Sequence, residues 1–174
     1  LPPLAPGRYR LDVVAYDATT AEPLADPLAL AWFWVGDPPS LPDVIIDADW
    51  QNGITLVGHD GWPQTLLPGA TITKRLIWSA ATSIQGDNTV FVQLLGPDGA
   101  IIAQSDRAPE GGFYPTSAWQ PDELVADSYS LTLPPALAPG AYSVLVGLYD
   151  PGSGVRVPLA EGGDALELAR LEVR

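Results

Sequence analysis

The chain has no cysteine and no methionine, one histidine, and eight basic residues set against 21 acidic ones. Each shortage excludes a class of chemistry. Without cysteine there are no disulfides, no thiolate zinc sites and no cysteine nucleophile, and the redox compartment stays open. With His59 as the single histidine, no histidine dyad, triad or multi-histidine metal site can be assembled within these residues. Its neighbour Asp60 reads as part of a turn. The absence of methionine leaves no initiator residue, so the chain is expected to be a processed or excised piece of a longer protein.

The formal net charge is −13 and the basic residues are scattered singly, so no patch can neutralise a run of phosphates, and nucleic acid is excluded as a partner. The same charge repels anionic lipid. The longest apolar run, LALAWFWV at 28–35, is far shorter than the roughly 18 to 20 residues of a membrane span. No charged segment followed by an apolar one opens the chain in the manner of a signal peptide. Arginine over lysine, with abundant Ala, Gly and Pro, points to a GC-rich and heat-adapted bacterial source.

What is present is a phrase used twice. LAPGRYRLDVVAYD at 4–17 returns as LAPGAYSVLVGLYD at 137–150, and LPP precedes both copies. The copies align Pro6 with Pro139, Gly7 with Gly140, Tyr9 with Tyr142, Val13 with Val146, Tyr16 with Tyr149 and Asp17 with Asp150. Such self-similarity marks a repeated supersecondary unit. In the second copy Tyr142, Val144, Val146 and Leu148 face one way and Ser143, Leu145, Gly147 and Tyr149 the other, which is a strand. The pattern L-x-P-G-x-Y resembles the tyrosine corner of immunoglobulin-like and fibronectin type III sandwiches, in which the hydroxyl bonds to backbone upstream.

Seven strands are expected after the first copy, at 53–60, 70–80, 88–95, 100–106, 123–133, 141–150 and 165–174, each bounded by Gly, Pro, Asp or Asn. GPDG at 96–99 has turn chemistry. With 19 Pro and 17 Gly as punctuation and no 3.6-residue apolar stripe, the fold expected is an all-β, antiparallel immunoglobulin or fibronectin III-like β-sandwich, nearly free of helix. Residues 1–36 read as the C-terminal hairpin of a truncated preceding repeat, 37–43 (DPPSLPD) as a stiff proline-rich linker, and 44–174 as the complete module. An isolated hairpin is marginal in water, so the first is expected to pack on the module or to pair with another chain, making a dimer.

Two departures from pattern stand out. Lys74 shares the phase of Ile72, Leu76 and Trp78, and is expected to snorkel from the strand end unless a bulge shifts the register. Leu166 and Leu168 alternate against Ala169, Leu171 and Val173, which predicts a bulge near Ala169.

Further segments carry a family resemblance. LVGHD (56–60), LLPGATI (66–72), LIWSA (76–80), VFVQLLGPDGAIIAQSDRAP (90–109), GGFYPTSAW (111–119), VADSYSLTLP (125–134) and PGAYSVLVGLYDPGSGVRVPL (139–159) follow one another in an order similar to that of a known repeated tail. This is the β-sandwich C-terminal domain of large bacterial membrane proteins, found especially in Chloroflexi-like bacteria. Those proteins look like family 39-type glycosyltransferases that use lipid-linked sugars. The resemblance spans 44–174 plus the partial first copy, and Lys74 departs from the apolar residue expected there. It implies an extracytoplasmic accessory module of a membrane-anchored protein, with other domains of the same polypeptide as partners and no catalytic residues of its own.

Candidate sites are few. The longest connection, SDRAPEGGFYPTSAWQP at 105–121, offers Tyr114 and Trp119 as an aromatic platform for a sugar, with Asp106 and Arg107 supplying hydrogen bonds. The plainer reading folds those aromatics over the end of the sandwich. Trp62, in HDGWP, is expected in an exposed turn. Trp32 and Trp34 share a strand face and read as core or interface. Calcium is the one ion the residue types admit, through Asp87, Asp98, Asp106, Asp127, Asp150 and Asp164 near strand ends, but no EF-hand spacing occurs, solvated turn aspartates serve equally, and no cofactor is expected. DAD at 47–49 has the letters of a glycosyltransferase metal motif without a nucleotide-binding fold around it. A non-catalytic sandwich module is therefore expected, with a carbohydrate-binding module as the alternative. A glycoside hydrolase, which needs two carboxylates flanking the bond, is the distant third.

Overall fold

The computed structural model of the protein describes residues 3–173. It contains ten strands: β1 (Gly7–Val13), β2 (Leu28–Val35), β3 (Val44–Asp49), β4 (Ile54–His59), β5 (Thr71–Ala80), β6 (Thr89–Leu95), β7 (Ile101–Arg107), β8 (Val125–Thr132), β9 (Gly140–Tyr149) and β10 (Leu166–Val173). The only helical pieces among the described residues are two short 3-10 turns at Pro109–Gly112 and Thr116–Ala118. Two compact units result, Leu1–Pro39 and Ser40–Arg174.

The larger unit is an antiparallel β-sandwich. One four-stranded sheet runs β3-β4-β5-β8 and the other β10-β9-β6-β7, so the chain changes sheet at β5 to β6, β7 to β8 and β8 to β9. Alternation explains which side of each strand is buried. In β8, Val125, Asp127, Tyr129 and Leu131 point inward; in β9, Tyr142, Val144, Val146 and Leu148 do so. Leu56, Leu76 and Trp78 meet them from the first sheet, and Val90, Val92 and Leu94 from the second, all essentially without solvent exposure. Trp50 lies 5.6 Å from Trp78, ring to ring.

Seven of the module's strands fall where the sequence pattern puts them, within two residues at either end. β3 is the addition. It was hidden by a bulge, because its pairing with β4 slips between Ile45 and Ala48 and so breaks the alternation, and Asp47 there takes a left-handed backbone at φ 53°. The bulge expected near Ala169 is present, between Glu167 and Ala169. Lys74 is half-buried opposite Tyr129, and the β5–β8 register is unbroken, so the alternative of a phase shift in that pairing is removed.

The smaller unit is the β1–β2 hairpin, with a separate pairing of Tyr16 and Pro23 beyond it. It reproduces β9–β10 residue by residue. Gly7 pairs with Val35 as Gly140 pairs with Val173; Tyr9 with Phe33 as Tyr142 with Leu171; Leu11 with Ala31 as Val144 with Ala169. Both pairings then slip by one residue at the same place, bulging Leu30 in one and Leu168 in the other. Tyr149 pairs with Arg156 as Tyr16 does with Pro23. The tyrosine corners also agree, since the Tyr9 hydroxyl donates to the Ala5 carbonyl and that of Tyr142 to the Ala138 carbonyl, each at 2.8 Å. Beyond the first strand, the Asp17 carboxylate accepts from the Thr19 and Thr20 amides, and that of Asp150 from the amide and hydroxyl of Ser153.

Candidate functional site

The loop from β7 to β8 is built inward. Tyr114 is 1% and Trp119 2% exposed, so neither presents a flat face to a ligand, and the platform reading of these two rings is corrected. The Trp119 indole N–H donates to the Tyr114 carbonyl at 3.2 Å, and the Tyr114 hydroxyl lies 2.6 Å from Glu123 Oε2. Thr116, fully buried between the rings in sequence, accepts from the Asn88 amide at 2.9 Å. An apolar sandwich end needs a cover, and two aromatics held by backbone and side-chain hydrogen bonds supply it.

Arg107 and Asp106 are adjacent on β7 and therefore point to opposite sides. Arg107 ties β7 to β8: its guanidinium meets Asp127 Oδ1 at 2.6 Å, also donates to the Ser128 carbonyl, and lies over the Tyr129 ring at 4.4 Å. Asp127 is 7% exposed and also accepts from the Glu110 amide at 3.0 Å, so the pair closes one open edge between the sheets. Burial pushes the Tyr129 hydroxyl far above its usual range, with the Asp127 carboxylate adding to the effect. Arg107 is thus a structural residue. Trp62 is half-buried rather than exposed, its ring 6.2 Å from that of His59 and edge-on to it. His59 is itself buried, with Nδ1 2.8 Å from the Asp60 carbonyl, while the Asp60 carboxylate grips Arg75 through two nitrogens at 3.0 and 3.2 Å. Trp34, 37% exposed, shares the face of Arg8, whose guanidinium stands 5.5 Å from its ring. It is not a core residue.

The aspartates suggested for calcium are dispersed among separate tasks. Asp98 caps its turn at the Ala100 amide, Asp87 accepts from the Ser117 amide, and Asp164 pairs with Arg156 at 3.2 Å. Among the described residues no three metal-type ligands stand together, those of DAD included.

The remaining candidate, Asp106, belongs to a different group. It pairs with Phe91 across β7 and β6, and Gln104 pairs with Gln93 on the same face. Arg156 reaches over from beyond β9: its guanidinium lies 4.3 Å from the Phe91 ring centre, 3.5 Å from Gln93 Oε1 and 3.2 Å from Asp164. The Gln93 amide nitrogen stands 3.5 Å from Gln104 Oε1. Phe91 can lie flat here because β9 carries Gly147 opposite it, where a Cβ would come within 2.3 Å of the ring. Partial desolvation raises the Asp106 carboxyl above its ordinary value, against the opposing pull of Arg156. Gln104 and Asp106 are exposed, and the Arg156 side chain is 37% so.

The outcome is a sheet face that exposes the Gln104 carboxamide, the Asp106 carboxylate and part of the Arg156 guanidinium, laid over the buried Gln93 and Phe91. Donors and acceptors at fixed spacing are what a polyhydroxylated ligand requires. Gln93 and Gln104 were legible in principle, since folding the chain about GPDG sets them opposite each other. Arg156 was not, because it arrives from a long connection.

No protein-family model and no curated protein matches this sequence, so the family resemblance rests on the quoted motifs alone. Solved structures that align with this chain include the next two. The C-terminal domain of wzt is 13% identical, with 73% of this chain and 77% of that chain covered and a TM-score of 0.45. A family 123 glycoside hydrolase from Clostridium perfringens, described in connection with glycolipid glycan hydrolysis, is 11% identical. That match covers 65% of this chain but only 22% of the hydrolase, with a TM-score of 0.39. Likenesses at this level bear on neither substrate nor activity. Among the described residues no helix is long and apolar enough to cross a membrane.

Proposed function

We propose that the sandwich is a non-catalytic interaction module that binds glycan through the face formed by Gln104, Asp106 and Arg156, with Gln93 buried beneath them, as an accessory domain of a larger protein. The observation that carries this reading is the convergence of the exposed Gln104 and Asp106 side chains and the part-exposed Arg156 guanidinium on one sheet face, over the buried Gln93 carboxamide and Phe91 ring. A guanidinium already stacked on a ring loses little freedom when it donates to a hydroxyl, and the exposed Gln104 carboxamide offers both a donor and an acceptor. The wider setting rests on the quoted motifs: a membrane-anchored bacterial parent of glycan assembly, with this module on its extracytoplasmic side and other domains of the same polypeptide beside it.

The test is a glycan array probed with the whole chain and with Gln104→Ala and Arg156→Ala. Gln104 is exposed, so its loss leaves the core intact, and each variant is expected to weaken binding about tenfold, the worth of one or two lost hydrogen bonds. Trp119→Ala reports only on folding. Silence of the unaltered chain across all glycans, or binding indifferent to both face variants, would remove this reading.

A further inference from the structure

The β1–β2 hairpin repeats the register of β9–β10 but has only one of the neighbours that β9 has. β9 lies between two strands, pairing with β10 on one side and on the other with β6 through Thr89↔Tyr149 to Leu95↔Ser143. Among the described residues β1 pairs with β2 alone, so none of their strands lies on its second edge. The side chains agree with that vacancy of pairing. Val144 and Val146 are fully buried, whereas their counterparts Leu11 and Val13 are 53% and 49% exposed.

A second observation comes from the glycine that opens each strand. Gly140 has φ 142° and Gly7 φ 150°, a conformation that only glycine adopts readily. At Gly140 a Cβ would lie 2.7 Å from Pro97, in the turn that follows β6. At Gly7 nothing lies within 4 Å. β1 thus keeps the backbone that fits a β6-type strand and its turn, without either.

We infer that the free edge of β1 is a strand-acceptor site, and that its occupant is the β6 equivalent of another sandwich copy carried upstream in the same polypeptide. The partner runs antiparallel to β1, with its C-terminal end beside Arg10, and is apolar on the face that Val90, Val92 and Leu94 form in β6. In the β9 register its third residue, the equivalent of Phe91, faces Val14, the counterpart of Gly147. Because Gly147 is what lets Phe91 approach, the occupant carries a small residue at that position.

The test uses the whole chain, extended ahead of Leu1 by a copy of the segment 87–97 with Phe91→Ala, joined through a short Gly/Ser linker that keeps the local concentration high. Amide hydrogen exchange reads the outcome, with the β9 amides as internal standard. The β1 amides that point away from β2 are expected to exchange about tenfold more slowly than in a chain carrying a scrambled extension. A longer extension copied from 40–136, supplying both sheets, provides a second reading. An edge that stays open in both extended chains overturns the proposal, as does equal slowing by the scrambled segment. Concentration-dependent slowing in the unextended chain also overturns it, because a second copy then fills the edge. Protection just as strong with the phenylalanine retained overturns the register.

Discussion

The hairpins β1–β2 and β9–β10 share a pairing register, a bulge, a tyrosine corner and an aspartate-capped turn, yet one is the centre of a core and the other presents the same face to solvent. Local structure is therefore set by the residues they have in common: Pro-Gly before the strand, Tyr two places later, Asp after it. Burial is set by what lies alongside. The difference also separates two meanings of one residue, for Tyr142 anchors a packed sheet whereas Tyr9 holds the same bond at an exposed site.

The largest expected effect concerns the partner of each tyrosine. Leu171, 2% exposed, and Phe33, 44% exposed, occupy equivalent positions. Leu171→Ala is expected to destabilise the sandwich by about 3 kcal/mol through lost burial and a residual cavity. Phe33→Ala is expected to cost less than about 1 kcal/mol, because its contacts are largely with water and with the Tyr9 ring 5.8 Å away. Denaturant midpoints of the two variants check this, and equal shifts would break the contrast.

Next come the corners. Tyr142→Phe removes a part-buried hydrogen bond from a buried ring to the Ala138 carbonyl and should cost about 1 kcal/mol. The same change at Tyr9 exposes a carbonyl that water can serve, so thermal melts should move by less than the equivalent of about 0.5 kcal/mol.

The smallest effect concerns the shared turn. Hydrogen bonds from the Thr20 amide, then the Thr19 amide, hold the Asp17 carboxyl below its ordinary value; those from the Ser153 amide and hydroxyl do the same for Asp150. A carboxyl whose folded value is depressed adds stability above its unfolded pKa and loses it as pH falls through the folded one, hence below about pH 4. Asp106, raised by desolvation, has the opposite sign: stability declines as pH rises through its titration. Carbon-detected NMR titration should find Asp17 and Asp150 together on one side of the ordinary value and Asp106 on the other. Separation of the first two would show that the turns are alike only in backbone.

Most of the strand plan was legible because alternation and turn chemistry are local. Leu166, Leu168, Ala169 and Leu171 betrayed their bulge by a change of phase, and GPDG declared its hairpin. β3 escaped because its own bulge interrupts the alternation within six residues. The site was harder to read. Tyr114 and Trp119 have the composition of a platform, and a loop's sequence does not disclose which way its rings turn. Of the five candidate residues only Asp106 is exposed, joined on its face by Gln104 and Arg156 over the buried Gln93.

By itself the sequence determined the all-β class, the position of nearly every strand and the equivalence of its two tyrosine-bearing phrases, because period-two patterning, glycine and proline act over a few residues. Only the tertiary structure decided that Arg107 faces Asp127 while Asp106 faces out, that Arg156 crosses to Phe91, and that one hairpin is covered and its counterpart bare. Those outcomes depend on contacts between residues far apart in the chain, and no short stretch of residues contains them.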